Sequence, residues 1–440
     1  MKPSTIRKRF FSVLNDAEQN LQDFVNKPGS DMTRHRLCTF TDTINATLCF
    51  TMNRTNTELF NFFGIRNKPI PSKSAFTQQR KKINAEFFPY LLNSFNKALP
   101  FTKTYKGFHL VAVDGSDINL PTNNKDFVYR IKQARSDNYF FQMHLNALYD
   151  ICENRYVTAV TQPRPEMNES KAFCQMVDQC SLPDNTIFIA DRGYICLNTV
   201  AHLINNNKFF LIRAKAPSSS GSFLKNLLVD NVESDMEFTV GVTRSKKNIR
   251  HCTLNKFKIV KNKRLFEPIA PGDTKTIYSM NIRCSCIKLS NGEYEYLVSN
   301  LPKDKFSVND LGELYWKRWS IETSFRRLKY ALSLVYLHSV NRDLIIQEVF
   351  AKLIMYNFSS LLHTFATLER SKSEKVKKLK YEYKVSFDDV IPIARELIKR
   401  PIKNDIVKAL LLRHLTAIKV TKSSARRVRS QTVKPLNNRA

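Results

Sequence analysis

Residues 315–332 read YWKRWSIETSFRRLKYAL, and Glu322 is the only acidic residue among them. At 3.6 residues per turn, a polar stripe follows one side of a helix and consists of Tyr315, Arg318, Glu322, Arg326 and Lys329. The adjacent apolar stripe consists of Ile321, Phe325, Leu328 and Leu332. The pattern predicts one amphipathic helix that packs on a core and presents a single carboxylate among cations.

Glu322 has two interpretations. In the first, its carboxylate forms i,i+4 ion pairs with Arg318 and Arg326 on a solvated face, each worth roughly a few tenths of a kcal/mol. In the second, Glu322 binds a metal ion while the surrounding cations contact a polyanion. Taken alone the segment favours the first interpretation, so the second depends on the rest of the chain.

The chain is strongly basic. Its 440 residues include 70 Lys and Arg but only 39 Asp and Glu, for a formal net charge of +31. Such a surplus opposes compaction unless a polyanion is the partner, and nucleic acid is the natural candidate. The nine cysteines lack the paired spacing of disulfide frameworks or zinc knuckles. We therefore expect an intracellular protein in which thiols such as Cys284 and Cys286 are buried.

We expect neither a signal peptide nor a membrane span. The basic start, MKPSTIRKRFFSVLND, lacks a long apolar stretch and a small-residue cleavage site. The most apolar long segment, near 344–363, is interrupted by Gln347, Glu348 and Lys352 at helical spacing, which is typical of a buried core helix. No membrane partner is predicted, and the expected location is the cytoplasm.

Changes in residue pattern divide the chain into five parts. A helical N-terminal region precedes a core of strands and helices, a β-rich insertion, a second core part with Glu322, and a basic helical C-terminal region with a disordered tail. The predicted parts are 1–106, 107–215, 216–305, 306–365 and 366–440. The order of strands and helices in the core predicts an α/β fold with helices against a sheet.

The N-terminal region is predicted to bind DNA. A Ser-rich cap at 72–74 begins a helix pair that carries the run QQRKK. At the expected exposed edge of this pair, Arg80, Lys81 and Lys82 suit a contact with DNA. A solvated charge cluster gives the same pattern, so both interpretations stay open.

Two core strands are predicted to end in an aspartate. The apolar run in HLVAVDGSD stops at Asp114, and the run in NTIFIADRGY stops at Asp191. Sheet folds place ligand-binding groups at carboxyl ends of strands, and a following glycine lets the backbone turn sharply. Either aspartate alone also fits an ordinary turn. Together with Glu322, the two aspartates predict a site for two Mg²⁺ ions, because hard cations take oxygen ligands.

These residues resemble a known family, the bacterial insertion-sequence transposases of the DDE superfamily. VAVDGSD and FIADRGY are similar to its two aspartate blocks, and the resemblance covers roughly residues 75–365. More narrowly, the chain resembles the cut-and-paste group with the spacing Y-x2-R-x3-E-x6-K. The four positions of that signature are occupied by Tyr315, Arg318, Glu322 and Lys329. The resemblance implies a ribonuclease-H-like catalytic core interrupted by the β-rich insertion.

The resemblance also implies roles for single residues. The two Mg²⁺ ions, which Mn²⁺ can replace, would be ligated by Asp114, Asp191 and Glu322. Phosphates of the transposon end would be contacted by Tyr315, Arg318 and Lys329. Weaker phosphate contacts are assigned to Arg192 and Arg213, for which a salt bridge and a surface strand charge are equally good accounts.

Some relatives pass through a DNA hairpin and stack a flipped base on an aromatic residue of the insertion. The matching stretch, EYEYLVSN, offers Tyr294 and Tyr296 for this role. We predict that Trp319 packs in the core beneath the site, with a base platform as the alternative. Glu169 is either a further acid near the pocket or a carboxylate favoured by a helix N-terminus.

The sequence therefore predicts a transposase that binds terminal inverted repeats, cleaves at the transposon ends and joins the 3′-OH ends to target DNA. Its expected partners are double-stranded DNA and a second copy in a homodimer, in the nucleoid of a bacterial cytoplasm. Two alternatives are a ribonuclease-H-like nuclease without strand transfer and an inactive, domesticated DNA-binding protein. Intact acids argue against the latter, because a pure binder gains nothing from carboxylates that face a polyanion.

Overall fold

A large mixed sheet forms the centre of the computed structural model, which describes residues 1–33, 37–123, 126–133, 138–251, 254, 256–372, 383–413 and 415–417. The basic tail predicted to be disordered lies almost entirely outside these residues. The strands of the sheet are His109–Leu120 (β1), Arg130–Lys132 (β2), Tyr139–Asp150 (β3), Arg155–Pro163 (β4), Thr186–Ala190 (β5), Phe209–Ala214 (β6), Ser234–Thr243 (β7), Lys256–Ile259 (β8), Ile277–Lys288 (β9) and Tyr294–Ser299 (β10).

The strand order is β2-β3-β1-β5-β6-β10-β9-β7-β8, with β4 also paired to β3. Strands β1, β3 and β4 form an antiparallel meander, whereas β5 and β6 add parallel to β1 on its other side. Helices connect the parallel strands, as crossover connections require. The predicted α/β class is confirmed, and the topology is consistent with a ribonuclease-H-like transposase fold.

Helices cover both faces of this sheet. They are Pro3–Gln19 (α1), Phe40–Cys49 (α2), Thr55–Phe63 (α3), Lys73–Arg80 (α4), Phe87–Ala98 (α5), Glu169–Gln179 (α6), Leu197–Asn205 (α7), Val308–Lys317 (α8), Ser320–Lys329 (α9), Arg342–Ser371 (α10), Phe387–Lys399 (α11) and Asn404–Arg413 (α12). A small antiparallel pair, Tyr383–Val385 (β11) and Leu415–Ala417 (β12), accompanies the C-terminal helices.

The two faces of the sheet bury different side chains, because successive residues of a strand point to opposite sides. On one face, which we call the α6–α7 face, Val111 and Val113 of β1 pack with Phe173 and Val200. On the other, the α8–α9 face, Leu110 packs with residues of α8. The position of a residue along its strand therefore determines which face of the sheet its side chain lies on.

One hydrophobic core joins the N-terminal helices, α9, α10 and the C-terminal helices to β1, β3 and β4. For example, Phe10 of α1 lies 5.9 Å, between ring centroids, from Phe358 of α10. The regions predicted as 1–106 and 366–440 thus pack directly against the catalytic part of the chain. The boundaries of the five predicted parts remain predictions.

The segment predicted as a β-rich insertion continues the central sheet. Strand β10 pairs with β6, β9 with β10 and β7 with β9, all antiparallel. Cys284 and Cys286 are free thiols buried on the same side of β9, as their spacing predicted. Because these strands share the hydrogen bonds of the core sheet, the status of the segment as an insertion stays a prediction.

Helix α10 confirms the prediction of a buried core helix. Its Gln347, Glu348 and Lys352 are all buried, although they interrupt the apolar pattern. Each has a polar partner, as buried polar groups require. Within the described part of the chain, no helix combines the length and apolar character that a membrane span needs.

A buried ion pair ties the N-terminal helices to α10. Arg80 of α4 donates from Nη1 to Glu348 Oε1 at 2.9 Å and from Nη2 to the carbonyl of Leu344 at 2.8 Å. Burial alone would raise the pKa of Glu348, but Arg80 and His338 lower it to about 2. The prediction that Arg80 stands at an exposed edge is wrong, since α4 turns this side chain into the core. Lys81 is exposed.

The substitution Arg80→Met is expected to lower the free energy of unfolding by about 3 to 5 kcal/mol, because the buried Glu348 carboxylate would lose its partner. Chemical denaturation of both proteins measures the difference. The matched control is Lys81→Met, at the neighbouring exposed position, which should change the free energy by less than about 0.5 kcal/mol. Equal losses in the two variants would contradict a structural role for Arg80.

Candidate active site

Asp114 and Asp191 lie where the parallel pairing of β1 with β5 ends. The last pair of the register joins Val113 to Ala190, and Ala190 is also the final residue of β5. The prediction of a strand end is therefore confirmed for Asp191. It is wrong for Asp114, because pairing with β3 carries β1 on to Leu120.

The glycines beside these aspartates provide space and not a sharp turn. Neither Gly115 nor Gly193 has a positive φ. A Cβ atom at Gly115 would collide with His144 Nε2, and one at Gly193 would collide with Glu169 Oε2. Each glycine thus lets a polar side chain pack against the backbone next to an aspartate.

The stretch 315–332 forms two helices and not the single helix that its periodicity predicts. Helix α8 ends at Lys317 and α9 begins at Ser320. Between them, the backbone N–H of Arg318 donates to the carbonyl of Tyr315, and the backbone N–H of Ile321 donates to the carbonyl of Arg318. These hydrogen bonds span three residues, so the turn is tighter than a regular α-helix. The predicted apolar stripe is confirmed, because it is buried at Ile321, Phe325, Leu328 and Leu332.

The guanidinium of Arg318 lies among three carboxylates. Its Nη1 is 3.1 Å from Asp114 Oδ2, and its Nη2 is 3.4 Å from Glu322 Oε1 and 4.0 Å from Asp191 Oδ2. Tyr315 donates its hydroxyl to Asp191 Oδ1 at 3.1 Å. The three predicted acids therefore meet in one place, although they are far apart in sequence.

Tyr315 and Arg318 are each only 2% exposed, so they do not belong to a solvated stripe. The tightened turn between α8 and α9 directs both side chains inward, onto the carboxylates. In this conformation both side chains contact the acids, and the phosphate contacts predicted for them stay predictions. The i,i+4 ion pair between Arg318 and Glu322 is present. Because the guanidinium of Arg318 is buried, the pair does not lie on a solvated face.

The pKa values of the acids reflect this crowding. Burial raises the pKa of Asp114 and of Glu322, and Arg318 opposes the shift in both cases. Asp191 raises both further through charge repulsion. Burial also raises the pKa of Tyr315, which keeps its hydroxyl as a donor to Asp191. Carboxylate oxygens suit a hard divalent cation such as Mg²⁺ or Mn²⁺, and in this structure the guanidinium of Arg318 lies among those of the three acids.

Comparison with known proteins agrees with this arrangement. A family profile described as the transposase DDE domain matches residues 106–358, more than half of the chain. The chain belongs to this transposase family. Among solved structures it is similar to the piggyBac transposase in a synaptic complex with hairpin DNA, with 11% sequence identity and a TM-score of 0.46 over 96% of this chain and 87% of that chain. No curated protein gives a significant match.

Two further carboxylates of the transposase border the three acids. Glu169 begins α6 and lies 3.7 Å, through Oε1, from His144 Nε2, while Glu295 on β10 lies 3.5 Å from Arg213 Nε. Burial raises the pKa of both carboxyls, and Asp191 adds to each shift. Glu169 thus fits both of its interpretations, because it begins α6 and its carboxyl is coupled electrostatically to Asp114 and Asp191.

Glu295 was missed by the sequence interpretation, which selected the tyrosines on either side of it. Strand alternation in EYEY separates Glu295 from both of them. Tyr294 and Tyr296 pack in the core of the α6–α7 face, and the hydroxyl of Tyr296 bonds to Asn231. In this structure their rings lie on the face opposite to Glu295, and their role as base platforms stays a prediction.

Trp319 is exposed, contrary to its prediction as a core residue. Its side chain is 45% exposed, and that of Trp316 is 74% exposed. The Trp319 ring centroid lies 5.4 Å from Cζ of Arg318, so the ring borders the carboxylate cluster. This exposure beside Arg318 favours the alternative interpretation, a ring on which a base can stack.

The remaining predicted phosphate contacts differ in accessibility. Arg192 is exposed, and its backbone amide donates to Asp191 Oδ1 at 2.7 Å. Arg213 lies on the α8–α9 face and pairs with Glu295. Lys329 is half-buried at the end of α9, where burial lowers its pKa and Asp117 opposes the shift. The phosphate contacts of all three remain predictions.

The substitution Gly115→Ala is expected to lower the free energy of unfolding by about 1 to 3 kcal/mol. The added methyl group collides with the ring of His144, which Asp117 holds through a 2.6 Å contact to Nδ1. In the matched variant Gly193→Ala the methyl meets only the end of the Glu169 side chain, which can rotate away, so the loss should be smaller. Thermal denaturation measures both, and equal losses would contradict the collision with His144.

The substitution Arg318→Met is expected to lower the free energy of unfolding by about 2 to 3 kcal/mol, because three neighbouring carboxylates would lose their shared cation. Added Mg²⁺ should raise the melting temperature of this variant more than that of the wild type, since a dication can replace the missing charge. Arg326→Met, an exposed position on the same helix, is the control. An equal response to Mg²⁺ in all three proteins would contradict the role of Arg318.

Proposed function

We propose that this transposase cuts DNA at the ends of an insertion sequence and joins the freed 3′-OH ends to target DNA. The convergence of Asp114, Asp191 and Glu322 on one buried guanidinium supports this proposal. Crowded carboxylates repel one another and also repel DNA, so they are costly on a protein that only binds DNA. A cluster that binds the metal ions of a phosphoryl-transfer reaction has a use for them.

The cation that we propose is Mg²⁺, as two ions, with Mn²⁺ as a possible replacement. Asp114, Asp191 and Glu322 would hold the ions, because hard cations prefer carboxylate oxygens and retain water and phosphate in their shell. When bound, such a pair activates the attacking water or 3′-OH and stabilises the leaving oxygen of an in-line displacement.

The side chains around the acids would prepare the site before any cation binds. Arg318 offsets the negative charge of the cluster and keeps Asp114 and Glu322 within 3.4 Å of its own nitrogens. Tyr315 orients Asp191 through its hydroxyl. Both are buried and packed, so little movement is needed to present the carboxylates to a ligand.

The DNA would approach along the exposed side of α9 and the turn that follows β5. Arg326 on α9 and Arg192 on that turn are exposed, and Lys329 is half-buried at the end of α9. Cations at this position neutralise phosphates and steer the duplex towards the acids. Trp319 would add a ring on which an unpaired base can stack, worth about 1 to 3 kcal/mol.

The remaining features of the proposal rest on the sequence signature and on the charge of the chain. The spacing of Tyr315, Arg318, Glu322 and Lys329 supports assignment to the insertion-sequence group and thus a bacterial cytoplasmic location. A net charge of +31 supports binding of inverted repeats and of target DNA in one complex. The two ends of the insertion sequence must be processed in one complex, so we propose that a homodimer carries out the reaction.

The variant Glu322→Gln should keep the affinity for terminal DNA within about twofold but reduce cleavage by a factor on the order of 1,000, because the amide removes one anionic ligand. Gel-shift and cleavage assays with Mg²⁺ measure the two properties. Glu313→Gln, at an exposed position of α8, is the control and should behave as the wild type. Cleavage by Glu322→Gln at the wild-type rate would show that the carboxylate assignment is wrong.

Pre-cut terminal DNA distinguishes the proposal from its two alternatives. Incubated with the wild-type protein, Mg²⁺ and a plasmid target, the DNA should become joined to the plasmid. A nuclease without strand transfer would cut uncut ends but give no joined product. An inactive DNA-binding protein would shift the terminal DNA without cutting or joining it, and either result would reject the transposition reaction.

A further inference from the structure

A second cluster of potential metal ligands lies on the α6–α7 face of the sheet. Cys174 and Asp178 are one turn apart on α6, His202 lies on α7, and Glu267 belongs to the loop between β8 and β9. One ligand atom from each of Cys174, His202 and Glu267 lies within 4.8 Å of the others. None of these residues takes part in the carboxylate cluster around Arg318.

The imidazole of His202 has a particular hydrogen-bond arrangement. Its Nδ1 lies 2.8 Å from Glu267 Oε2 in hydrogen-bond geometry. Its Nε2 is buried and has no hydrogen-bond partner among the described groups, although Asp178 Oδ1 lies only 3.0 Å away. If Nε2 carries the proton, beside Asp178, the lone pair of Nδ1 is free for a cation shared with Glu267.

The contact between Nδ1 and Glu267 Oε2, at 2.8 Å, brings together two atoms that can ligate one ion. A nitrogen and an oxygen that bind the same tetrahedral Zn²⁺ at about 2.0 to 2.1 Å are roughly 3.3 Å apart. Cys174 adds a third ligand atom, since the ligand atoms of the three residues lie within 4.8 Å of one another. Asp178 lies at the other ring nitrogen, where a carboxylate fixes the tautomer and orientation of a histidine ligand.

Glu267 is itself held in place, as a metal-binding carboxylate should be. Its Oε1 accepts a hydrogen bond from Asn198 Nδ2 at 2.9 Å, and its backbone amide donates to Asn198 Oδ1 at 2.8 Å. Carboxylates that ligate metal ions are hydrogen-bonded in this way by groups around the site. The same loop is anchored by Phe266 and Ile269, which are buried in the core of this face.

We propose that Cys174, His202 and Glu267 form a binding site for a zinc-class divalent cation, with the ion on the Nδ1 side of His202 and Asp178 at Nε2 as the partner that orients the ring. A thiolate, an imidazole and a carboxylate favour Zn²⁺ over Mg²⁺, so this site and the carboxylate cluster select different metals. The ion would connect α6 and α7 to the loop before β9. It would therefore fix the predicted insertion to the core of the transposase.

The competing account is an imidazolium ion between two carboxylates. That arrangement gives His202 two ion pairs and assigns no function to Cys174. It predicts no bond between the thiolate and an added metal ion. The sulfur atom is thus the group that distinguishes a metal site from an ion-pair cluster.

Cobalt binding tests the proposal through that sulfur atom. The full chain carrying Asp114→Asn and Asp191→Asn, which removes ligands of the candidate active site, is titrated with Co²⁺. We expect one equivalent to bind with a thiolate-to-cobalt charge-transfer band in the near ultraviolet. Adding Cys174→Ser should abolish the band and weaken binding at least about tenfold. Adding Cys180→Ser instead, at the end of the same helix, should leave both unchanged.

Thermal denaturation provides a second measurement that does not depend on colour. Zn²⁺ should raise the melting temperature of the Asp114→Asn and Asp191→Asn protein, a chelator should reverse the rise, and Cys174→Ser should remove it. Circular dichroism checks that each variant is folded before metal is added. The absence of a thiolate band, or a band and a stabilisation that both survive Cys174→Ser, would overturn the proposal in favour of the ion-pair cluster.

Discussion

A buried positive charge among three carboxylates is the constraint on which the candidate site depends. Without Arg318, the acids that the fold brings together would repel one another in a partly desolvated pocket. The guanidinium reaches them only because α8 and α9 meet in a tightened turn that points it inward. The turn, the end of β5 and the continued course of β1 must therefore all be formed before the acids become neighbours.

Much of this fold follows from local patterns in the sequence. The apolar stripe on α9 marks a helix buried on one side, and the continuous apolar run before Asp191 marks a strand buried on both faces of the sheet. The polar interruptions of α10 mark a helix buried in a protein and not in a membrane. These features depend on neighbours within one or two turns, so the sequence alone identifies them.

The sequence interpretation is wrong where a strand or helix that is distant in sequence determines the position or burial of a residue. Asp114 looks like a strand end until β3 is placed beside it, and Arg80 looks solvated until α10 supplies Glu348. Tyr294 and Tyr296 alternate correctly, but only the position of the helices shows which face holds the carboxylates. Trp319 was misplaced because a single tightened turn rotates it relative to a regular helix. The cysteine, histidine and two acids of the second cluster are separated by spacings that match no short motif.

The pairing of β10 with β6 has a consequence for how the chain can be divided. Strand β6 is an interior strand only because β10 covers its second edge, and β10 in turn carries β9 and β7. A fragment that ends before β10 would expose the backbone N–H and C=O groups of an apolar strand, FFLIRA, to any other chain in solution. The sheet is thus protected from self-association by a segment that carries none of the three acids around Arg318, and the solubility of the core depends on it.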